Sequence, residues 1–407
     1  MAPGTLLAVL VTLGCISYAT VQAQDDDNDR RLTDAIGKFA QTMYREVSAD
    51  TPNCIFSPYS AHTALSMAYL GARGGTAEEM KSVLQVSNLK DPHGPHGDLI
   101  KDLNTVEDAD VYIANSAWYN EKYNVFDAYK NELTRTYDAY VERLVFNSAN
   151  AKPEEPINSW VANKTESNIR EIIEPDSLTE SGTALVLVNT IYFNSNWSRQ
   201  FSEADTRNGD FKREDGSTVK VDLMKKTGVF GYKESAFDNA DLARIPFENY
   251  RFAFYVLLPK LTKRLGEVEK TISREYSNPD DWFKNMEETY MSVTLPKFKL
   301  TASMELAESL KKMGMPTAFS DRANFSGITD RRIYISRVVQ KAVVDVREAG
   351  VTAAASTAVI TVGSSGAKTI DFRVDRGFLY FIRDDDTGNI LFQGKFSDPT
   401  VKEVEVK

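Results

Sequence analysis

From Ala349 to Ala367 the chain reads AGVTAAASTAVITVGSSGA and carries no charged residue, although 26% of the whole sequence is charged. The stretch is too polar and too rich in Gly and Ser to span a bilayer. It is also too poor in bulky apolar residues to be an ordinary core strand. Left exposed, a neutral strand-prone segment is an aggregation hazard that proteins usually blunt with charge or cover. Any fold for this chain must therefore conceal the segment or use it. The residues alone admit two readings: a small-residue linker or surface loop, and a segment made to become a strand.

A chain of 407 residues with 42% hydrophobic content has the length for one to three domains and the material for a large core. Its net charge of −10 argues against a broad nucleic-acid or anionic-membrane footprint. The opening residues hold an apolar run from Leu6 to about Val21, followed by Val21-Gln22-Ala23. That is the small-x-Ala pattern of a cleaved secretory leader over residues 1–23. The expectation is a secreted, extracellular protein formed by residues 24–407. Cys15 falls in the leader, which leaves Cys54 alone, so no internal disulfide can staple the mature fold. Cys54, beside Ile55-Phe56, reads as a small buried hydrophobe. Asn163, Asn196 and Asn324 head Asn-x-Ser/Thr triplets and become glycosylation candidates once secretion is expected, with Asn163 the most accessible.

Periodicity organises the rest. Leu32, Ile36, Phe39, Met43 and Val47 share one helical face. A buried helix is predicted from Pro58, closed by Gly71, Gly74 and Gly75, with Thr76 and Glu79 placed as a capping box for the next helix. TALVLVNTIYFNSNW is a continuous apolar, β-branched run and predicts a strand buried on both faces. LARIPFENYRFAFYVLLPK predicts a hairpin, MSVTLPKFKL a strand, TASMELAESLKKMG a helix, and VVQKAVVDVRE a strand leading into the neutral segment. GFLYFIRDDDTGNILFQGKF predicts a hairpin turning at Asp386-Thr387-Gly388. KDPHGPHGDL reads as a surface loop. Helices dominate early and strands late, with no repeat or long linker, which favours a single α+β domain.

Catalytic patterns are missing. The chain has three histidines, His62, His93 and His96. There is no Gly-x-Ser-x-Gly elbow in a strand–turn–helix context, no His-Glu-x-x-His, no Walker loop and no dinucleotide glycine fingerprint. His62 falls in an apolar helix and reads as a core or cap residue. No metal ligand set and no cofactor are expected, and no enzyme activity.

Several segments, in order, resemble the serpin family: NCIFSPYSAHTALSMAYLGARGGTAEEM, LVLVNTIYFNSNW, RANFSGIT, YISRVVQKAVVDVREAGVTAAASTAV and FLYFIRDDDTGNILFQGKF. Within them AAASTAV is similar to the loops of antithrombin-type inhibitory serpins. The resemblance covers nearly the whole mature chain. It implies one domain with a five-stranded central sheet, two further sheets and about nine helices. It also implies that residues of about 348–371 are the reactive-centre loop. By that likeness the chain is a monomeric inhibitor that forms a covalent complex with a target serine protease: the cut loop inserts into the central sheet and the protease is trapped as an acyl-enzyme. A non-inhibitory carrier or storage serpin is the alternative, and such relatives tend to have charged or bulky hinges.

The family pattern assigns residues one by one. Glu348, Ala349, Gly350, Val351, Thr352, Ala353, Ala354, Ala355, Ser356 and Thr357 match the hinge. They are mostly small, and the nine after Glu348 are neutral, as a strand entering a sheet interior must be. With period two, Val351, Ala353, Ala355 and Thr357 share the face that the family buries on insertion. The commonest spacing from Gly350 places the reactive bond at Ser364-Ser365, with Gly363-Ser364 and Val362-Gly363 still open. Serine there suits an elastase-like or subtilisin-like protease; Lys368-Thr369 would suit a trypsin-like one. Trp197 matches the tryptophan where the loop enters the sheet. Ser57, Ser60 and Asn189 match the polar shutter beneath the parting strands. Gln340 stands where the family usually has a histidine, and glutamine does not titrate near neutral pH. No dense Lys/Arg row marks a glycosaminoglycan site between Lys81 and Lys122.

Overall fold

Two sheets carry the architecture of the computed structural model, which describes residues 27–146, 151–274, 280–351 and 369–406. One sheet has seven strands. Its members are β2 (Asp110–Asn120), β3 (Tyr140–Leu144), β4 (Leu185–Asn196), β10 (Phe298–Glu305), β11 (Ile335–Val346), β12 (Gly350–Val351) and β16 (Glu403–Val406). They lie in the order β16-β10-β11-β12-β4-β2-β3. Five of them, β2, β3, β4, β10 and β11, match the five-stranded central sheet expected; β12 is a two-residue insertion and β16 a four-residue C-terminal strand. The other sheet holds nine strands: β1 (Asn53–Phe56), β5 (Arg207–Lys212), β6 (Thr218–Phe237), β7 (Ala240–Pro246), β8 (Phe252–Pro259), β9 (Glu287–Pro296), β13 (Ile370–Arg373), β14 (Phe378–Asp384) and β15 (Ile390–Phe396). The two further sheets expected from the family are joined here because β6 runs 20 residues and belongs to both.

Nine α-helices lie among the described residues. The first, α1, spans 27–47, and its Leu32, Ile36, Phe39, Met43 and Val47 are all buried. The others are α2 (Pro58–Gly71), α3 (Gly74–Val83), α4 (Gly94–Leu103), α5 (Asp127–Tyr137), α6 (Glu154–Lys164), α7 (Leu265–Arg274), α8 (Asp280–Phe283) and α9 (Ala307–Met313). Ser57 caps α2, its side chain accepting from the Ser60 backbone N–H, and Pro58 follows as the first helical residue, where a missing N–H costs nothing. Ile157 and Val161 of α6 cover one face of the seven-stranded sheet, against Trp118, Val186, Val188 and Val339. The main core fills the opposite side. β4 is buried continuously from Leu185 to Ile191, since both faces are covered, and begins to alternate only near its end.

Four sequence expectations need correction. MSVTLPKFKL is two strands, β9 and β10, in different sheets; the chain crosses over at Lys297. The first half of TASMELAESLKKMG completes β10, and only Ala307–Met313 is helical. Gly74 and Gly75 do not close α2 but open α3, whose cap position is Arg73, so Thr76 and Glu79 form no capping box: Thr76 Oγ1 accepts from the Asn324 N–H at 2.9 Å, and the Glu79 carboxylate takes the N–H and hydroxyl of Thr317 at 3.0 and 2.6 Å. The Pro/Gly/His stretch is not a surface loop but the start of α4, with His96 buried. Cys54, by contrast, is buried and unpaired as expected, and burial pushes its thiol up to about 12.

The packing of β15 on β1 depends on Gly394. A Cβ there would strike the Cys54 carbonyl and lie 2.5 Å from the Tyr380 hydroxyl. Gly394→Ala is expected to cost about 3 kcal/mol through overpacking. Urea denaturation of the variant, with fluorescence and circular dichroism as coincident probes, measures the loss.

Candidate functional site

The boundary between β4 and β11 is the unusual feature of the seven-stranded sheet. The two strands pair in parallel from Ile335 with Leu185 to Lys341 with Thr190. Beyond that rung they no longer pair with each other. β12 fills part of the gap: Gly350 and Val351 pair antiparallel with Asn196 and Ser195 of β4, and Val351 also pairs with Val346 of β11. A Cβ at Gly350 would collide with the Ser195 carbonyl, so only glycine fits this approach. Val351, beside it, is buried.

Trp197 closes the upper end. Its backbone N–H donates to the Ala349 carbonyl at 2.9 Å, and its indole N–H to the Arg347 carbonyl at 2.8 Å. Its ring stacks on Phe247 with centroids 4.8 Å apart and meets Phe201 and Phe254 edge-on. Glu348 is buried beside it. Its carboxylate takes Lys297 at 2.8 Å and the Thr206 hydroxyl at 2.8 Å, while its carbonyl accepts from Phe201 N–H. Burial alone would push the Glu348 carboxyl up, but these hydrogen bonds and the Lys297 charge hold it below the usual range.

At the lower end, one rung crosses three strands. Asn115 of β2 faces Asn189 of β4, which faces Gln340 of β11. The Gln340 amide clamps the Ser57 backbone in both directions, accepting from its N–H at 2.8 Å and donating to its carbonyl at 2.9 Å. Asn189 donates instead to Asn115 Oδ1, and Asn115 donates to the Tyr137 carbonyl at 3.1 Å. Ser60 Oγ, Asn189 Oδ1 and Thr190 Oγ1 are buried without a partner. Such atoms each cost about 1–3 kcal/mol, so closing the sheet at and beside this rung carries a cost.

The structure thus brings Ser57, Ser60, Asn189 and Gln340 together, and puts Trp197 against Arg347, Glu348, Ala349 and Gly350. Thr352, Ala353, Ala354, Ala355, Ser356, Thr357, Ser364 and Ser365 lie outside the described residues, as do residues 1–23, expected to be a leader. Asn163 and Asn324 are exposed, whereas Asn196 is half-buried and its amide donates to Glu248 at 3.0 Å. Sequence reasoning missed Asn115, Lys297 and Thr206. Asn115 carried a signal, a polar side chain among inward-facing positions of an apolar strand; the other two carried none, because their partner is remote in sequence. Among the described residues no cluster of three His, Cys, Asp or Glu could hold a metal.

The serpin (serine protease inhibitor) family model matches residues 34–399. The chain is a serpin. A serpin-like protein of Thermococcus kodakarensis is 34% identical over 395 residues, covering 94% of this chain and 90% of that one. The leukocyte elastase inhibitor of Sus scrofa is 32% identical over 381 residues, covering 91% and 100%. The structure of human thyroxine-binding globulin with thyroxine superposes with a TM-score of 0.82 at 26% identity, covering 91% of this serpin and 99% of that chain.

Gln340→Leu removes both bonds to Ser57. The Ser57 carbonyl keeps its helical bond from Ala61, but the N–H is left buried and unpaired. The expected loss is about 2 kcal/mol, read as an earlier urea midpoint with an unchanged slope.

Proposed function

We propose that this serpin is a secreted inhibitor of serine proteases, cut in the segment after β12 and stabilised by drawing that segment into the seven-stranded sheet. The observation that carries the reading is β12 itself, already hydrogen-bonded to both β4 and β11. Continuing that strand would lead Thr352 and the residues after it between β4 and β11. The strands must part where they now pair, at the rung of Asn189 and Gln340. The unpaired polar atoms there favour an alternative arrangement, and the neutral residues Ala353 to Thr357 suit a strand entering a sheet interior.

In the proposed reaction the protease serine bonds the Ser364 carbonyl carbon and the bond to the Ser365 nitrogen breaks, releasing an amine end and leaving an acyl-enzyme. Insertion then competes with attack by water on that ester. Ser364 suits an elastase-like or subtilisin-like protease, in keeping with the name of the Sus scrofa relative; cleavage at Lys368-Thr369 would indicate a trypsin-like target. Secretion rests on the leader pattern of residues 1–23, and the exposed Asn163 and Asn324 are the candidate glycan sites. The alternative, a non-inhibitory carrier or storage serpin, is supported by the likeness to thyroxine-binding globulin and to uncleaved ovalbumin.

Incubation with a protease panel should give a denaturant-stable adduct with an elastase-like enzyme and a released peptide starting at Ser365. A peptide starting at Thr369 would reassign the target class, and simple cleavage with no adduct would favour the carrier.

Thr357→Arg should convert the inhibitor into a substrate. The loop would still be cut, but burying an arginine costs several kcal/mol. If about 3 kcal/mol of this enters the insertion barrier, insertion slows roughly a hundredfold and hydrolysis wins. The measurement is inhibitor consumed per protease trapped, with Ser356→Arg, on the opposite face, as control. Equal trapping by parent and Thr357 variant would refute the register.

A further inference from the structure

All three histidines of the chain meet in one cluster beneath the seven-stranded sheet. His62 comes from α2, His96 from the first turn of α4, and His93 is the residue before α4. His62 and His96 are fully buried, with ring centroids 5.2 Å apart.

Their hydrogen bonds run in one direction. His62 Nε2 lies 2.9 Å from the Leu84 carbonyl, an acceptor only, which assigns the proton to that nitrogen. His62 Nδ1 is then an acceptor for His96 Nε2 at 3.2 Å, with Ser66 Oγ at 3.4 Å. His96 Nδ1 in turn faces Thr63 Oγ1 at 3.1 Å. With both rings neutral, every ring nitrogen has the partner it needs. One extra proton fits only on His96 Nδ1, where Thr63 can turn its hydroxyl to the Tyr59 carbonyl 2.8 Å away. A second would set two N–H groups against each other.

Among the described residues no counter-ion faces the added charge. From α1 the neighbour is the Phe39 ring, from α2 the Tyr59 ring with Thr63 and Ser66, and from α5 the Tyr137 ring. Asp91 and Glu132, the latter paired with Arg135, act on His93 instead. His93 Nδ1 lies 2.6 Å from the Tyr137 hydroxyl, and its ring lies against Tyr69 of α2. Burial lowers His62 to about 4 and holds His96 well below its ordinary value, with the other two histidines adding to the effect on His96. Burial also lowers His93, while Asp91 and Glu132 pull it back up.

The helices joined by this cluster are those that anchor the polar rung. Ser57, the cap of α2, is clamped by Gln340, and the carbonyl of Tyr137, the last residue of α5, holds Asn115. We propose that the three histidines form a proton-operated hold on the sheet: neutral, they keep α2, α4 and α5 locked beneath Asn115, Asn189 and Gln340; protonated in mild acid, they release those helices and let β4 and β11 part. The proposal rests on the insertion reading above. In the closed protein His62 stays neutral down to about pH 4, and burial together with the other two histidines holds His96 well below its ordinary value. Once the helices loosen and water reaches the rings, they regain an ordinary value of about 6.5. The opened state then binds protons that the closed state refuses. Opening is therefore favoured as pH falls through about 6.5, and increasingly so down to about 4.

The test is the rate at which the intact protein incorporates a fluorescent peptide of sequence TAAASTAVITVG at about pH 7.5 and about pH 5, a window that histidine titration spans. Incorporation should be at least about thirtyfold faster in acid, the factor that a single ring rising from about 4 to about 6.5 on opening supplies between those two pH values. His96→Gln keeps a donor for His62 and an acceptor for Thr63 without titrating; His62 still gains a proton on opening, so the acid acceleration should persist but fall severalfold below the parent's. Proton NMR of the three histidine rings in the parent protein gives a readout that needs no variant: the His62 and His96 signals should not titrate above about pH 5. Incorporation that is equal at both pH values, full acid acceleration in His96→Gln, or a buried ring titrating near its ordinary value each overturns the histidine hold while leaving insertion standing. A peptide that enters at neither pH overturns the insertion reading itself, and this proposal with it.

Discussion

β4 and β11 hold one another over only half their length, and the behaviour of the rest of the molecule follows from that incomplete pairing. A parallel ladder is evenly bonded but slanted, and needs neighbours on both sides to be stable. Here the ladder ends at Lys341 and Thr190, and a two-residue strand takes its place above. Everything around the junction addresses this interruption. Trp197 ties the turn before β12 to the end of β4, and Glu348 anchors that turn to Lys297 and Thr206. Below, Gln340 binds the sheet to the cap of α2. The sheet is closed by side chains at its two ends rather than by continuous backbone bonding.

Much of this was legible in the sequence, for identifiable reasons. The run from Leu185 to Ile191 could only be a strand covered on both sides, and the pattern from Phe378 to Phe396 could only be a hairpin, because both signals are local and strong. The family likeness led to the neutral segment and to Ser57, Ser60, Asn189 and Gln340, which the fold gathers at one level. Non-local partners were not legible. Thr76 and Glu79 had the spacing of a capping box, but Glu79 serves Thr317 from a distant part of the chain. Pro92, Gly94, Pro95 and Gly97 disguised α4 as a loop and hid the burial of His96, because proline near a helix start is favourable and propensity alone does not show that context. Pro296-Lys297 concealed the passage of one apolar run between two sheets.

Gln340 and the histidines show how one physical role can be divided between places. A glutamine at the polar rung makes two good bonds to Ser57 and is indifferent to acid. The titratable groups lie one layer deeper, in helices rather than strands, where among the described residues no carboxylate faces His62 or His96.

The length of β6 sets how the rest of the fold responds. A single uninterrupted backbone of 20 residues pairs with β5, β7 and β9, so bending one part of the nine-stranded sheet would strain the other. That sheet is a stiff frame. The seven-stranded sheet, broken between β4 and β11, is the compliant element mounted beside it. Distortion arriving at β12 has little room to dissipate sideways into the frame and is channelled along the axis of β4 and β11, toward Asn189 and the cap of α2.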